Sequence, residues 1–320
     1  MSFAARRRRA VGLKEGTRVP RLVKVTGLIG LVGVAATGCT TNEVLRFGWP
    51  QGVTPQAESM RQLWTWSVIA ALAVGVLVWG LIFWSVAFHR KKSEELPRQF
   101  QYNLPLEIIY SAIPFVMVVV LFYFTAVTQN YVLAKPANPD VKVNVVSFQW
   151  NWEFNYPGYK TPDGQPVRTV GSSEEIPLLV LPTDSSVEYH LSSTDVIHSF
   201  FVPEFHFKRD TFPHPDKNNQ DNVFQNTIDR EGSFVGRCAE LCGTYHSMMN
   251  FEVRALSKDK FDQYMQLRTR INPQTGSPYT ASEALGEMKC GELCAPRAVT
   301  GVPFDTERTG GKPSGIGTAN

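Results

Sequence analysis

Charged side chains are absent from two long stretches of this 320-residue sequence. No Lys, Arg, Asp or Glu occurs between Arg61 and His89, or between Glu107 and Lys135. Each stretch exceeds the ~20 apolar residues that cross a hydrocarbon core of ~30 Å. A soluble helix of this length normally keeps a polar face. The two stretches therefore argue against an ordinary soluble protein and predict two membrane-spanning helices.

Cysteine is also scarce, with five residues in the whole chain, which argues against a disulfide-rich secreted scaffold. Four of the five form two pairs with the same C-x-x-x-C spacing, Cys238 with Cys242 and Cys290 with Cys294. The fifth, Cys39, stands alone after an apolar run. The grouping of the cysteines therefore says more about their roles than their number does.

Charge is unevenly divided along the chain, although the net charge is only +3. The first 24 residues carry eight Lys or Arg and one Glu, whereas residues 137–320 carry 23 Asp or Glu and 17 Lys or Arg. Basic segments stay in the cytoplasm, so we expect the acidic part outside the cell. An acidic extracytoplasmic domain favours a basic partner and argues against nucleic acid as the partner.

The N-terminus has the pattern of an export signal. Four arginines at 6–9 begin a basic segment, an apolar run follows at 25–36, and small residues precede Cys39. This order resembles a bacterial lipobox, which implies removal of residues 1–38 as a signal peptide and lipidation of Cys39. An uncleaved short helix with an incidental cysteine is the alternative.

A basic cluster at 89–92 directly follows the first apolar stretch and marks its cytoplasmic end. It predicts an extracytoplasmic segment over residues 39–62 and a transmembrane helical hairpin over residues 63–135. We expect the two helices at about 63–88 and 106–132. The protein is then a multi-pass protein of a bacterial cell membrane, and both ends of the mature chain lie outside the cell.

After residue 136 the hydrophobic period changes to that of β-strands. Apolar residues alternate with polar ones at Val141, Val143 and Val145, and β-rich runs follow at 148–154, 176–181, 187–191, 199–202 and 251–255. Short strands at this density predict an all-β Greek-key sandwich or barrel over residues 136–271. Residues 272–320 are rich in Gly, Pro, Ser and Thr, and we expect an irregular tail there.

Soft metal ligands are concentrated between residues 238 and 249. Cys238, Cys242, His246 and Met249 offer two thiolates, an imidazole and a thioether, and His198 lies at an earlier β-rich run. Such ligands suit copper. A zinc site uses no thioether, and a mononuclear blue-copper site takes only one cysteine. A disulfide is plausible outside the cell, but it leaves the histidine and the methionine unexplained.

The pattern C-x-E-x-C-G-x-x-H-S-x-M at 238–249 resembles the copper-binding loop of cytochrome c oxidase subunit II, and D-V-x-H-S at 195–199 resembles an upstream segment of that family. The match extends over about 63–255 and implies a cupredoxin-like β-domain. The resemblance implies two copper ions with six ligands: the bridging thiolates of Cys238 and Cys242, one imidazole each from His198 and His246, the thioether of Met249 and the backbone carbonyl of Glu240.

Two bridging thiolates allow one unpaired electron to spread over both metal ions, so a change of redox state alters the geometry little. A small reorganisation permits fast electron transfer, and no open coordination position is implied. We therefore expect this site to relay electrons and to break no bonds.

The resemblance also assigns roles to three further side chains. Trp150 is implied as the residue through which electrons arrive, and Glu240 as a side-chain ligand of a magnesium ion shared with subunit I. Glu107 is implied as the entrance of a proton channel in subunit I, since an acid at the edge of a membrane span is costly and often functional. The structural alternatives are a core aromatic for Trp150 and a helix-capping carboxylate for Glu107.

The implied function is that of subunit II of a respiratory cytochrome c oxidase. Such a subunit accepts electrons from cytochrome c and passes them to the haem and haem–copper centres of subunit I, where oxygen is reduced to water and protons are pumped. The implied partners are oxidase subunits I and III and a cytochrome c. A polar insertion at 206–222, and the small number of carboxylates besides Asp195 that match the family's docking ring near Trp150, favour a dedicated or membrane-tethered donor in a supercomplex.

Two other functions remain as alternatives. A quinol oxidase subunit II shares this architecture but lacks the copper ligands. A copper-carrying assembly lipoprotein would not need two membrane spans with Glu107 in the family register. The second cysteine pair, Cys290 and Cys294, has no His or Met at the matching positions, so we interpret it as a disulfide that closes a loop of the tail.

Overall fold

The computed structural model describes residues 41–96, 98–172 and 174–300. The expected signal peptide and Cys39 lie outside these residues. The chain divides after Gly48 into two compact units. The first contains the short helix α1, Thr41–Leu45, and every element described below belongs to the second.

Two long helices form the membrane part of the protein. Helix α2 spans Pro55–Phe88 and helix α3 spans Leu104–Val132. Their most apolar windows have mean hydropathies of 2.3 and 2.2, and the side chains there are not buried within the protein. Helices this apolar on every side require a lipid environment or other protein subunits around them. The predicted transmembrane hairpin is confirmed.

Helix α2 begins earlier than the expected residue 63 because of the residues at its start. The Thr54 side chain accepts a hydrogen bond from the amide of Ala57 at 3.0 Å, and Pro55 occupies the first helical position. A threonine cap followed by proline is a strong helix start, since the cap satisfies a free amide and proline lacks one. The helix therefore reaches past the membrane span toward the β-domain.

The remaining chain forms a sandwich of two five-stranded sheets. The first sheet has the order β3-β2-β1-β5-β8 and the second β4-β10-β9-β6-β7. The strands are β1 Val141–Phe148, β2 Asn151–Lys160, β3 Pro166–Val170, β4 Leu178–Pro182, β5 Ser186–Ser193, β6 His198–Val202, β7 Phe207–Thr211, β8 Val223–Thr227, β9 Gly232–Cys238 and β10 Asn250–Leu256. The pairs β1–β5 and β4–β10 are parallel and the other pairs are antiparallel. This agrees with the predicted all-β cupredoxin-like domain.

An aromatic cluster fills the space between the sheets. Trp152 on β2, Phe200 on β6 and Phe251 on β10 are fully buried. The ring of Phe251 lies 4.7 Å from that of Phe200 and 5.2 Å from that of Trp152, measured between centroids. Burying each such side chain contributes about 1.5–3 kcal/mol. The cluster therefore holds together three strands that end beside the soft-ligand loop.

Two strands that the sequence did not predict, β9 and β7, make specific contacts with neighbouring strands in the folded chain. Strand β9 contains Gly236, where a Cβ atom would meet the ring of Phe251 at 2.1 Å, so the core leaves no room for a side chain. Strand β7 lies inside the expected insertion at 206–222 and pairs antiparallel with β6, with Thr211 opposite His198. The first part of that insertion is therefore a sheet strand, and only the residues after Thr211 form a loop.

The expected irregular tail is ordered from 272 to 300. Helix α4, Lys258–Arg268, is followed by helix α5, Ala281–Met288, and by a 3-10 turn, Gly291–Cys294. Helix α5 starts with a capping box in which Thr280 and Glu283 bond to each other's backbone amides. A threonine followed by glutamate three residues later is a recognised helix start. The prediction of irregular structure was therefore wrong for these residues.

A buried ion pair anchors this C-terminal segment to the sandwich. Glu252 and Arg254 lie two residues apart on β10, so they share a face, and both are fully buried and paired. Arg254 donates to the backbone carbonyls of Leu293 at 2.7 Å and Ala295 at 3.1 Å. Glu252 accepts from the amides of residues 299 and 300, both at 2.7 Å. The segment 289–300, which we call the C-terminal strap, thus covers the outer face of β10.

The disulfide between Cys290 and Cys294 closes a short loop within the strap. Its sulfur atoms belong to the segment whose carbonyls bond to Arg254. The strap therefore combines a covalent closure with buried charge-assisted hydrogen bonds, which are about twice as strong as neutral ones.

We expect the substitution Arg254→Ala to lower the free energy of unfolding by about 3–5 kcal/mol, because Glu252 then stays buried without its partner. Arg270→Ala provides a matched control, since Arg270 is exposed, and it should change the value by less than about 0.5 kcal/mol. Chemical denaturation of the detergent-purified chain, followed by tryptophan fluorescence, measures both. Equal losses in the two variants would contradict an anchoring role.

Candidate metal centre

The sheet topology brings the soft ligands of two distant segments together. His198 is the first residue of β6 and Cys238 the last residue of β9. These strands are antiparallel neighbours with Phe200 opposite Cys238. The loop after Cys238 then carries the other predicted ligands before β10 begins. One end of the second sheet thus gathers the ligands.

Two thiols and two imidazoles form a symmetric arrangement. The Sγ atoms of Cys238 and Cys242 are 3.8 Å apart, and both cysteines are free. Nδ1 of His198 lies 3.9 Å from Sγ of Cys238, and Nδ1 of His246 lies 3.6 Å from Sγ of Cys242. Each thiol therefore has its own imidazole. A sulfur separation near 2 Å would have indicated a disulfide instead.

Two weaker donors complete the set. Sδ of Met249 lies 3.8 Å from Sγ of Cys242, and the carbonyl oxygen of Glu240 lies 3.2 Å from Sγ of Cys238. The donor atoms of His198, Cys238 and Cys242 all lie within 4.8 Å of one another. Thiolates, imidazoles and a thioether in one buried cluster suit copper better than zinc or a hard cation. The donor set therefore fits a copper centre.

Hydrogen bonds and burial set the charges of the site. Burial opposes charge on His198, but its hydrogen bonds to Cys238 and Asp195 outweigh this and raise its pKa. Burial also opposes ionisation of Cys238, yet its hydrogen bonds with His198 and with the Glu240 carbonyl lower its pKa. The pKa of Cys242 is raised, by burial and by the nearby charge of Cys238. One thiolate therefore forms more readily than the second, which needs a cation beside it.

Asp195 orients His198, a predicted copper ligand, from behind. Its Oδ1 lies 2.8 Å from Nε2 of His198, so the other ring nitrogen, Nδ1, faces the cysteines. Burial opposes ionisation of Asp195, but the bond from His198 and the amide of Gln149 outweigh it and lower the carboxyl pKa. A carboxylate behind a ligating histidine fixes the ring orientation and increases its basicity.

The hairpin between β1 and β2 supports the ligand loop. Nε2 of Gln149 donates to the carbonyl of Cys242 at 2.7 Å, and Nε1 of Trp150 donates to the same carbonyl at 3.2 Å. The Trp150 ring also meets Tyr245 edge to face, with centroids 5.0 Å apart. Trp150 is therefore in direct contact with the backbone of a predicted copper ligand and remains partly exposed.

Glycine is required at position 243 for this contact. Gly243 has a φ of +122°, and a Cβ atom there would lie 3.1 Å from the Trp150 ring. Both the backbone conformation and the close approach disfavour any larger residue.

Below the loop, Nε1 of Trp152 donates to the carbonyl of Met249 at 3.3 Å. The aromatic core thus positions Met249 directly.

The other predicted site residues lie elsewhere or have different surroundings. The side chain of Glu240 is exposed next to the ligand loop. Glu107 lies in the first turn of α3, where its Oε1 accepts from the amide of the cap residue Asn103 at 2.9 Å. Cys290 and Cys294 belong to the strap and not to the donor cluster.

Sequence reasoning missed several residues of the site. Asp195 was considered only as a docking carboxylate, although its position three residues before His198 is a usable signal for a carboxylate–histidine pair. The role of Gln149 has no sequence signal, because its contact partner lies 93 residues away. The requirement for Gly243 also depends on a distant ring, that of Trp150 in the hairpin between β1 and β2.

Comparisons with known proteins are consistent with this arrangement. The family described as cytochrome C oxidase subunit II, periplasmic domain, matches residues 141–256, and that protein's transmembrane domain family matches residues 42–126. The chain is 49% identical to the probable cytochrome c oxidase subunit 2 of Nocardia farcinica, with 91% of each chain covered. It is 43% identical to cytochrome c oxidase subunit 2 of Mycobacterium tuberculosis, with 93% of this chain and 92% of the relative covered. The protein of the same name from Corynebacterium glutamicum is 38% identical, with 88% and 92% covered.

Proposed function

The chain belongs to the cytochrome c oxidase subunit II family, and we propose that Cys238 and Cys242 bridge two copper ions in its extracytoplasmic domain. The chain is thus a membrane-anchored subunit of an oxidoreductase complex. The observation that carries the proposal is the symmetric donor set, in which each of two free thiols has its own imidazole within 3.9 Å. A mononuclear blue-copper site takes only one cysteine, so a second thiol with its own imidazole favours a second copper ion.

The same geometry supports the remaining ligands of the proposal. His198 and His246 would each hold one copper ion through Nδ1, and Met249 and the carbonyl of Glu240 would complete the donor set. When bound, the copper pair supplies a one-electron carrier. Asp195 holds the His198 ring from behind, and Gln149 and Trp150 hold the carbonyl of Cys242. These contacts keep the donors in place in both redox states, which keeps the reorganisation small.

With copper bound, this site would accept electrons from a cytochrome c and pass them to the haem centres of subunit I. Trp150 is the residue through which they arrive, because it is partly exposed and bonds to the backbone of Cys242. The indole supplies a route and no ligand. The reduction of oxygen takes place in subunit I, so the residues of this chain orient and insulate the copper pair and carry out no bond chemistry themselves.

Further roles rest on the family resemblance. The exposed carboxylate of Glu240 binds a magnesium ion shared with subunit I, which substitution by manganese and paramagnetic resonance of Glu240→Gln would test. Subunits I and III surround the two membrane helices. The donor is a membrane-tethered cytochrome c, and co-purification of a cytochrome with the oxidase tests this. Lipidation of Cys39 stays a prediction that the intact mass of the mature chain can check.

We expect Cys242→Ser to abolish the mixed-valence signal of the copper pair while both helices still insert, because one bridging thiolate is lost. The double substitution Cys290→Ser with Cys294→Ser is the control, since it removes two cysteines outside the donor set. Paramagnetic resonance and copper analysis of the purified oxidase measure both. A seven-line copper hyperfine pattern retained in Cys242→Ser would exclude the bridging role.

For Trp150→Phe, we expect normal copper content and a much slower oxidation of the reduced donor. The phenyl ring has no N–H for the carbonyl of Cys242, and its π-system is smaller. Stopped-flow oxidation of reduced cytochrome c measures the rate, and the copper absorption spectrum shows whether the site is intact. An unchanged rate with an unchanged spectrum would leave Trp150 as a supporting aromatic only.

Glu107→Gln separates a proton-conducting role from a capping role. The amide oxygen of glutamine can still accept the hydrogen bond from Asn103, so the cap is kept while the ionisable group is lost. If Glu107 feeds a proton channel, reduction of the oxygen-binding centre slows and reduction of the copper pair stays fast. Stopped-flow spectra resolve both steps. If neither step slows, Glu107 is a helix cap.

A further inference from the structure

His206 holds two segments of the chain together through its ring. It follows the 3-10 turn Pro203–Phe205 and has a left-handed backbone conformation, with φ +52°. Nδ1 of the ring lies 3.1 Å from the carbonyl oxygen of Ala57, in the first turn of α2. Nε2 lies 2.9 Å from the carbonyl oxygen of Pro50. Both ring nitrogens of one histidine thus meet backbone carbonyls on the segment that enters the first membrane helix.

The two contacts of His206 require a particular protonation state of its ring. A backbone carbonyl oxygen only accepts hydrogen bonds, so each of the two contacts needs an N–H on the ring. A neutral imidazole has one N–H, whereas the imidazolium cation has two. Both bonds of His206 therefore exist together only in the doubly protonated form. Loss of one proton leaves a lone pair facing a carbonyl oxygen at one of the two contacts.

Residues of the segment 49–57 pack closely against the His206 ring. The Trp49 ring meets His206 edge to face, with centroids 4.7 Å apart. At Gly52 a Cβ atom would lie 2.8 Å from Cβ of Ala57 and 3.5 Å from the His206 ring. The amide of Val53 donates to the carbonyl of Glu204 at 3.0 Å, and the Val53 side chain is fully buried in the sandwich core. We call residues 49–57 and their contacts with His206 the junction.

Charged groups of both signs lie near the ring. Glu58, one residue after the acceptor Ala57, is held ionised by its hydrogen bonds from Arg61, which lower its pKa. Glu204 lies in the 3-10 turn just before His206, where burial raises its pKa, so it is less readily ionised. The positive charges of Arg230 and Arg237 partly oppose this rise in the pKa of Glu204. Glu58 and Glu204 are thus acidic groups that interact with the His206 ring.

We propose that His206 is a positioning residue that, in its doubly protonated form, locks the copper domain onto the start of the first membrane helix. The lock is complete while the ring carries both protons and loosens when the ring loses one. The orientation of the copper domain on its membrane anchor is thereby linked to the pH outside the membrane.

The junction matters for electron transfer because it connects helix α2 to the copper domain, and the position of that domain on its membrane anchor must stay fixed. Helix α2 lies in the membrane part of the protein, and the proposed copper ligands belong to the same compact unit. Loosening of the junction increases the motion of the copper domain relative to its acceptor. This consequence rests on the proposed electron relay, whereas the lock itself does not.

Hydrogen–deuterium exchange of the purified oxidase tests the lock directly. We measure protection of the amides at 51–58 in wild type, His206→Phe and His214→Phe at pH 6 and pH 8.5, corrected for intrinsic exchange. Phenylalanine keeps a planar ring against Trp49 but donates nothing. His214 is an exposed histidine with the same φ of +52°, so its substitution is a matched control.

In wild type and in His214→Phe, protection at 51–58 should fall about tenfold from pH 6 to pH 8.5, because a charge-assisted bond is lost. His206→Phe should have the low protection at both pH values. A histidine that only fills space would give a variant with lower protection and the same pH response as wild type. That result, or wild-type protection that does not change with pH, overturns the proposal.

If His206→Phe does not assemble, the wild-type oxidase still decides the question. Protection at 51–58 is then compared with that of strand β1 between the two pH values. A loss confined to the junction supports the lock, and a parallel loss in both segments overturns it. The rate of internal electron transfer from copper to haem, measured at the same pH values, tests the consequence separately. A rate without pH response, together with pH-dependent exchange, would refute the effect on electron transfer and leave the lock standing.

Discussion

The contact between the ends of β6 and β9 is the constraint on which the rest of the structure depends. It places His198 beside Cys238 although the two are 40 residues apart in the chain. Soft ligands act as an electron relay only if they keep their positions when the charge of the metal changes. The aromatic core beneath the loop, the hairpin that bonds to Cys242 and the carboxylate behind His198 all hold the donors from different sides.

The support extends well beyond the ligand loop. Strand β10 starts immediately after Met249 and is buried along its whole length, because the sandwich core covers one face and the C-terminal strap covers the other. A buried ion pair such as Glu252–Arg254 is costly to desolvate and tolerable only when its remaining hydrogen-bonding groups are satisfied. The carbonyls and amides of the strap satisfy them. Order in the strap and rigidity of β10 are therefore parts of one arrangement.

The junction at His206 joins this rigid domain to the membrane helices by another means. The ring of His206 makes hydrogen bonds to backbone carbonyls there. The loop after β7 contributes a second polar contact, in which Asp221 pairs with Lys135 beyond the end of α3 and with Arg209. These contacts fall within the stretch 203–222, most of which the sequence suggested to be an insertion for a donor. Its observed contacts are with the protein's own helices and strands.

The sequence by itself determined the features that depend on local composition and spacing. Uncharged stretches predict membrane helices because a charged side chain is costly to bury in the hydrocarbon core. The spacing of Cys238, Cys242, His246 and Met249 places soft donors on one loop. Alternation predicted strand β1, and a β-rich run at 187–191 predicted strand β5, for the same local reason. Only the tertiary structure decided the partners of Gln149, Arg254 and His206, since each contact joins a side chain to backbone carbonyls of a distant segment. A carbonyl oxygen leaves no mark in a sequence, so the residues that bind carbonyls became recognisable only once the chain was folded.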